Sequence, residues 1–300
     1  MDLVRGLFFA KGEQYVTGLP RSGEPVLAAE RENPERGLPM QEVEKYYDEH
    51  AQAEWERLER HPMEFALTMR ALQEYLVPES RILDVGGGPG RYAIALAQLG
   101  HRVTLVDLSL ANVELGREKA REAGVVLEGF VHGNALDLSA FADAGYDAVL
   151  LFGPLYHLIE EKNRDRAISE ALAKLKPGGL LFAAFINRYA FIVDMMKHDP
   201  ESLLTNVNVQ ALIQSGINRG ATGFTEAWFA HPGEIKPLME GHGLTTLKFM
   251  SKEGMVAPVE QSINELPPEH FKAWKDLSWQ LAEEECLLGI AEHLLYIGKK

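Results

Sequence analysis

The chain alternates short apolar runs with longer amphipathic stretches, and this alternation predicts its elements. From Met40, the residues Val43, Tyr47, Ala51, Trp55 and Leu58 recur at helical spacing, and Phe65, Met69, Leu72 and Leu76 form a second stripe between Pro62 and Pro78. Ile82, Leu83 and Val85 suit a strand buried on both faces, and a helix from Arg91 to Leu99 follows, stopped by Gly100. The same beat continues with a strand at Val103 to Val106, a helix from Ser109 to Ala123, and strands at Val125 to Val131 and Tyr146 to Leu151. Ile168, Leu172 and Leu175 mark another helix, closed by Lys176-Pro177-Gly178-Gly179 before a fifth strand at Leu180 to Phe185. A helix near Glu234 to Glu240, a strand at Leu244 to Met250, a loop containing Pro258, a helix from Pro268 with Phe271, Trp274, Leu277 and Leu281 on one face, and a strand at His293 to Gly298 complete the pattern. Strands alternating with helices in this way predict an α/β fold, doubly wound on a mostly parallel seven-stranded sheet.

Two stretches break the beat. Residues 1–39 are crowded with glycine and proline from Gly6 to Pro39, which leaves an arm with one weak hairpin around Phe8 to Val16. Residues 187–232 interrupt the βα alternation and are expected to form a helical lid insertion above the C-terminal edge of the sheet. The expected division is therefore an arm at 1–39, a core with its N-terminal helices at 40–186, the insertion at 187–232, and completion of the sheet at 233–300. A chain that begins at Met40 is expected to fold and to bind its ligand without the arm.

The turn between the first strand and its helix carries the candidate chemistry. It reads Asp84-Val85-Gly86-Gly87-Gly88-Pro89-Gly90, and its glycines let the backbone turn sharply and approach a ligand. A dinucleotide fold wants G-x-G-x-x-G, whereas the pattern from Gly86 is G-x-G-x-G, preceded by an acid that would repel phosphates and attract an ammonium group. Asp107 ends the second strand about twenty residues past the glycines, where a carboxylate can accept hydrogen bonds from both ribose hydroxyls. His157, in Phe152-Gly153-Pro154-Leu155-Tyr156-His157 after the fourth strand, could accept a proton from a nucleophile, or it and Tyr156 could be rim or packing residues.

Together these residues resemble the class I S-adenosylmethionine-dependent methyltransferases, whose first motif is commonly written D-x-G-x-G-x-G. The resemblance spans about 41–186 strongly and 233–300 weakly. It implies a Rossmann-like methyltransferase fold with an antiparallel C-terminal hairpin, and S-adenosyl-L-methionine as cofactor, with Asp84 on its ammonium group, Gly86, Gly87, Gly88 and Gly90 along its amino-acid tail, and Asp107 and Leu108 at its ribose. Asn134 and Ala135 stand where the family often has an acid and a small residue at the adenine, and Phe152 joins the cofactor set. The helix containing Tyr46 and Tyr47 resembles the one that many small-molecule enzymes of this kind lay over the cofactor. Either tyrosine could cap the methionine end, or both could simply pack the helix on the sheet. Gly-Pro-Leu-Tyr-His resembles a loop of many such enzymes, most of them acting on small molecules, which makes Tyr156 and His157 the catalytic candidates. Lys-Pro-Gly-Gly is a further signature, with a structural job. Arg188, Tyr189, Asn218, Arg219, Trp228 and His231, with Tyr46, are candidates for the acceptor pocket, though an insertion also needs ordinary packing residues.

Composition narrows the partners. A formal net charge of −14 argues against nucleic acid, whose binders draw affinity from neutralised phosphates. The hydrophobic fraction of 46% is that of an ordinary globule, and no apolar run is long enough to cross a bilayer. With one cysteine, Cys286, an internal disulfide and a Cys-rich metal site are excluded, no metal is expected, and a cytoplasmic location is the expectation. The pattern carries no signal for oligomeric state. The expected function is methyl transfer to a small-molecule acceptor. The alternatives are a tRNA methyltransferase of the wobble-uridine type, a non-catalytic S-adenosylmethionine-binding protein and, more distantly, a nicotinamide dehydrogenase.

Overall fold

The structure, a computed structural model, describes residues 39–206, 209–219 and 225–300, with only the backbone at Pro39, Met40 and Leu58. The arm expected at 1–39, its hairpin included, lies outside the described residues apart from Pro39, which opens the first helix.

Two N-terminal helices, α1 (Pro39–Arg60) and α2 (Pro62–Tyr75), precede β1 (Arg81–Val85), α3 (Arg91–Gln98), β2 (Arg102–Asp107), α4 (Leu110–Glu122) and β3 (Gly129–His132). Then come β4 (Tyr146–Leu151), a short α5 (Pro154–His157), α6 (Glu161–Lys174) and β5 (Leu175–Ile186). The sheet has seven strands in the order β3-β2-β1-β4-β5-β9-β8, with β8 (Thr245–Ser251) and β9 (His293–Lys299) at the far edge. Strands β1 to β5 run parallel, while β9 is antiparallel to both β5 and β8, so the sheet ends in the expected antiparallel pair.

Alternate side chains on each strand enter opposite layers. Ile82, Val103, Leu105, Ala148 and Leu150 pack with Leu67 and Leu72 of α2, Ile94 and Leu96 of α3 and Ala120 of α4. Leu83, Val85, Val149 and Leu151 pack with Ala167, Ile168 and Ala171 of α6 and with Ile235 and Met239 of α9 (Pro232–Gly241). Helices thus cover both faces, and among the described helices none is long and apolar enough to cross a membrane.

Three local expectations shift. The third strand starts at Gly129 rather than Val125, because Val126 stands 91% exposed and the ladder to β2 begins only at Thr104 opposite Gly129. Lys176-Pro177-Gly178-Gly179 lies inside β5 as an irregularity, where the register against β4 slips between Tyr146 opposite Leu175 and Ala148 opposite Leu180. Gly-Pro-Leu-Tyr-His is a single helical turn, α5, with proline in its first turn.

The stretch 187–232 contains α7 (Ala190–His198), a 3-10 turn at Pro200–Leu204, α8 (Val209–Ser215) and a two-stranded ribbon, β6 (Ile217–Arg219) with β7 (Glu226–Trp228). Phe191, Met195, Leu212 and Phe229 form a small apolar core of its own, against which Tyr156 packs. After β8, α10 (Glu260–Asn264), α11 (Pro268–Leu281) and α12 (Glu285–Leu288) lead into β9.

Candidate cofactor and active site

Strand order reverses between β1 and β4, and in open α/β sheets such a switch point opens a crevice beyond the carboxyl ends of the strands. A partly open cavity lies there. Its walls come from the ends of β1 (Gly86, Gly87, Gly88), β2 (Asp107, Leu108) and β3 (Gly133, Asn134, Ala135), from the segment after β4 (Phe152, Gly153, Pro154, Tyr156, His157, Leu158), from α1 (Val43, Tyr47, Glu54, Arg57), and from Tyr92 of α3 and Asn112 of α4.

The glycine turn is fixed by its surroundings. Gly86 and Gly87 both donate to the Val106 carbonyl, at 2.8 and 3.3 Å, tying the turn to β2. Gly86 has φ +68°, and a Cβ there would lie 2.5 Å from Pro154 Cδ. A Cβ at Gly87 would lie 2.6 Å from Asp84 Oδ2, whereas one at Gly88 would meet only Glu54 Cγ, at 3.6 Å, on the cavity side. Gly90, also expected at the ligand, caps α3 with φ +82° and does not line this cavity.

Two acids behave differently. Asp107 already accepts three hydrogen bonds, from Gly88 N at 2.7 Å on Oδ2 and from Ser109 N (2.9 Å) and Asn112 Nδ2 (3.1 Å) on Oδ1. A carboxylate has about four lone-pair sites, so Oδ2 keeps room for a ribose hydroxyl. Burial raises the Asp107 pKa, against which those three donors pull. Asp84 is fully buried beneath Gly87 and does not line the cavity, and among the described residues neither of its oxygens has a hydrogen-bond partner. Burial, reinforced by Asp107, pushes its pKa up to about 7.

His157 is enclosed between two hydroxyls, with Tyr47 Oη 2.8 Å from Nε2 and Thr225 Oγ1 3.1 Å from Nδ1. Burial pushes its pKa down to about 4, with a partial offset from a backbone hydrogen bond with Glu226. At neutral pH the ring is uncharged, so it can orient the Tyr47 hydroxyl but is a weak proton acceptor. Tyr156 lines the same cavity, its pKa raised chiefly by burial. Asn134 Oδ1 accepts from Leu136 N at 2.9 Å, which holds the side chain in a local turn at the cavity wall.

The candidates for the acceptor pocket go elsewhere: none of the seven lines this cavity. Arg188 Nη2 donates to both carboxylate oxygens of Glu234 (3.0 and 2.8 Å), and His231 caps α9 by accepting from Gly233 N at 3.1 Å. Trp228 is buried beneath the Arg164 guanidinium, 3.9 Å from its ring centre, and Tyr189 lies edge-on to His231. Asn218 donates to the Thr225 carbonyl at 3.3 Å, Arg219 is exposed on β6, and Tyr46 stacks on His50 at 4.4 Å. Glu54 and Arg57, absent from the residues expected at the site, face the cavity and pair with each other at 3.0 Å. Their i, i+3 spacing on an amphipathic helix was the available signal.

Residues 82–179 match a family described as a methyltransferase domain. Over 130 residues the chain is 32% identical to a tRNA 5-carboxymethoxyuridine methyltransferase of Escherichia coli (strain K12), an alignment covering 42% of this chain and 48% of that protein. Over 108 residues it is 36% identical to a ubiquinone biosynthesis O-methyltransferase of Methylocella silvestris, covering 36% of this chain and 40% of the relative. The chain thus spans less than half the length of either. A SAM-dependent methyltransferase from Thermotoga maritima superposes with a TM-score of 0.55 at 20% identity, over 85% of this chain and 98% of that one. Another from Methanosarcina mazei gives 0.53 at 22%, over 77% and 96%. These two likenesses speak to the fold alone.

Proposed function

Since the chain carries a class I S-adenosylmethionine-dependent methyltransferase domain, we propose that it transfers the cofactor's methyl group to a small-molecule acceptor held in the cavity beside Tyr47, Tyr156 and His157. The observation that carries this reading is the meeting of the Gly86 to Gly88 turn, Asp107 and the Phe152 to Leu158 segment in one cavity at the switch point. The residues fit the cofactor. Gly88 leaves backbone room, Asp107 Oδ2 retains a lone pair for a ribose hydroxyl, and the Glu54–Arg57 pair offers a zwitterion both signs of charge. Asp84 beneath the turn, with its pKa raised to about 7, carries only part of a negative charge at neutral pH, and Glu54 is the acid that reaches the cavity wall.

When bound, S-adenosylmethionine supplies a methyl group activated by a sulfonium, which a nucleophile attacks in line as the carbon–sulfur pair returns to sulfur. The protein's share is alignment and exclusion of water. Orienting two bound reactants can lower a barrier by as much as ~7–11 kcal/mol, more than proton transfer to a weakly basic His157 would give. The test is calorimetric titration with S-adenosylhomocysteine together with labelled methyl transfer into a metabolite extract. Asp107→Ala is expected to weaken binding by about tenfold or more, the loss of a charge-assisted contact, and an unchanged affinity would refute the assignment.

A tRNA acceptor is the second reading, favoured by the similarity to the Escherichia coli enzyme. The charge of −14 counts against it, and retention on tRNA that falls steeply with salt would reverse the preference.

A further inference from the structure

Behind the cavity wall lies a cluster of charges that the proposed reaction does not use. Arg57 donates through Nη1 to Glu64 Oε2 at 2.8 Å, and Lys252 donates to the other oxygen, Oε1, at 2.7 Å. Glu64 is 1% exposed and Lys252 3%. His293 Nδ1 lies 2.5 Å from Glu253 Oε1 and 3.9 Å from Glu64 Oε2. The ligand atoms of Glu64, Glu253 and His293 all fall within 4.8 Å of one another, a spacing a metal ion could use. Both Glu64 oxygens are already engaged by cations, however, and a divalent ion would sit against Arg57 and Lys252 as well. The cluster is therefore a buried ion-pair chain, in which one cation, Arg57, also faces the cavity.

The two carboxylates on Arg57 are not equivalent. Glu64 is held on its far side by Lys252, while Glu54 is partly exposed and lies on the same helix as Arg57. A bound carboxylate could displace Glu54 from the Nε edge of the guanidinium without disturbing Glu64 on Nη1.

We propose that Glu64 and Lys252 are positioning residues for the cofactor's amino-acid tail: they fix Arg57 from behind, so that its guanidinium meets the methionine carboxylate as Glu54 gives way. The inference rests on the function proposed above and deepens it. It assigns a role in cofactor binding to residues on α2 and just past β8, outside the 82–179 match, that do not line the cavity.

Two ligands separate this role from a general structural one. S-adenosylhomocysteine carries the amino-acid tail, and 5′-methylthioadenosine keeps the nucleoside and thioether but lacks the tail. Calorimetry on the full chain should show Glu64→Gln weakening S-adenosylhomocysteine about tenfold while methylthioadenosine stays within about twofold, as expected for one misplaced charge-assisted contact. Glu64→Gln leaves Lys252 buried without its counter-charge, so the paired variant Glu64→Gln/Lys252→Met, which removes both charges together, is measured alongside it. Arg57→Met should give the same selective loss, and adding Glu64→Gln to it should cost little more. Equal weakening of both ligands, or an unchanged S-adenosylhomocysteine affinity in the paired variant, would overturn the proposal. Failure of the unaltered chain to bind either ligand would instead sink the proposed function.

Discussion

At the scale of single residues, burial decides what each titratable group can do. Asp84 has its folded pKa raised to about 7 by burial and by Asp107, so the folded chain holds its proton more tightly than the unfolded one. Its contribution to stability is present in full below the unfolded value of about 3.9 and is lost as pH rises toward 7. Asp84→Asn should flatten that loss and raise the melting temperature of the ligand-free protein at pH 8, measured by calorimetry; a lower melting temperature at that pH would contradict the reading. His157 has its pKa lowered to about 4, so its neutral form belongs to the fold, and its share of stability disappears as pH falls from about 6.5 toward 4. Its NMR titration should show no midpoint near 6.5, and the kcat profile should carry no inflection there from this residue. The motif resemblance singled out both residues, but not these states, which are set chiefly by burial in the folded chain, with Asp107 adding to the shift at Asp84.

At the scale of elements, the hydrophobic period made the core legible because strands buried on both faces and helices buried on one have different repeats. Ile82 and Leu83 enter opposite layers as that argument requires. What escaped it depended on partners. The late start of β3 follows from where β2 offers its ladder, and the slip in β5 follows from its register with β4. The candidate site was legible in the glycine turn and the strand ends, where function and backbone conformation coincide. It was not legible in the insertion, where Arg188 and His231 stabilise α9 and its approach instead of facing the cavity. The contact between the glycine turn and α5 gives an element-level prediction. Gly86→Ala combines a left-handed φ with a Cβ 2.5 Å from Pro154 Cδ, and should cost about 2–4 kcal/mol in urea unfolding by adding strain and overpacking.

At the scale of the whole molecule, the matched domain supplies only part of the cavity. Val43, Tyr47, Glu54 and Arg57 come from α1, ahead of residue 82, and Thr225, whose hydroxyl contacts the lining residue His157, lies just before β7, beyond residue 179. Likeness within the matched region therefore does not by itself transfer the substrate of any relative. Asp48 of α1 accepts from the Ser109 hydroxyl at 2.6 Å and the Ala111 amide at 3.1 Å, clipping the helix onto the start of α4. We propose that a wall fastened in this way slows the departure of a spent nucleoside. Turnover should therefore begin with a rapid first cycle and settle to a slower pace set by departure, and Asp48→Ala should quicken the later cycles while leaving the first unchanged in rapid-quench measurements.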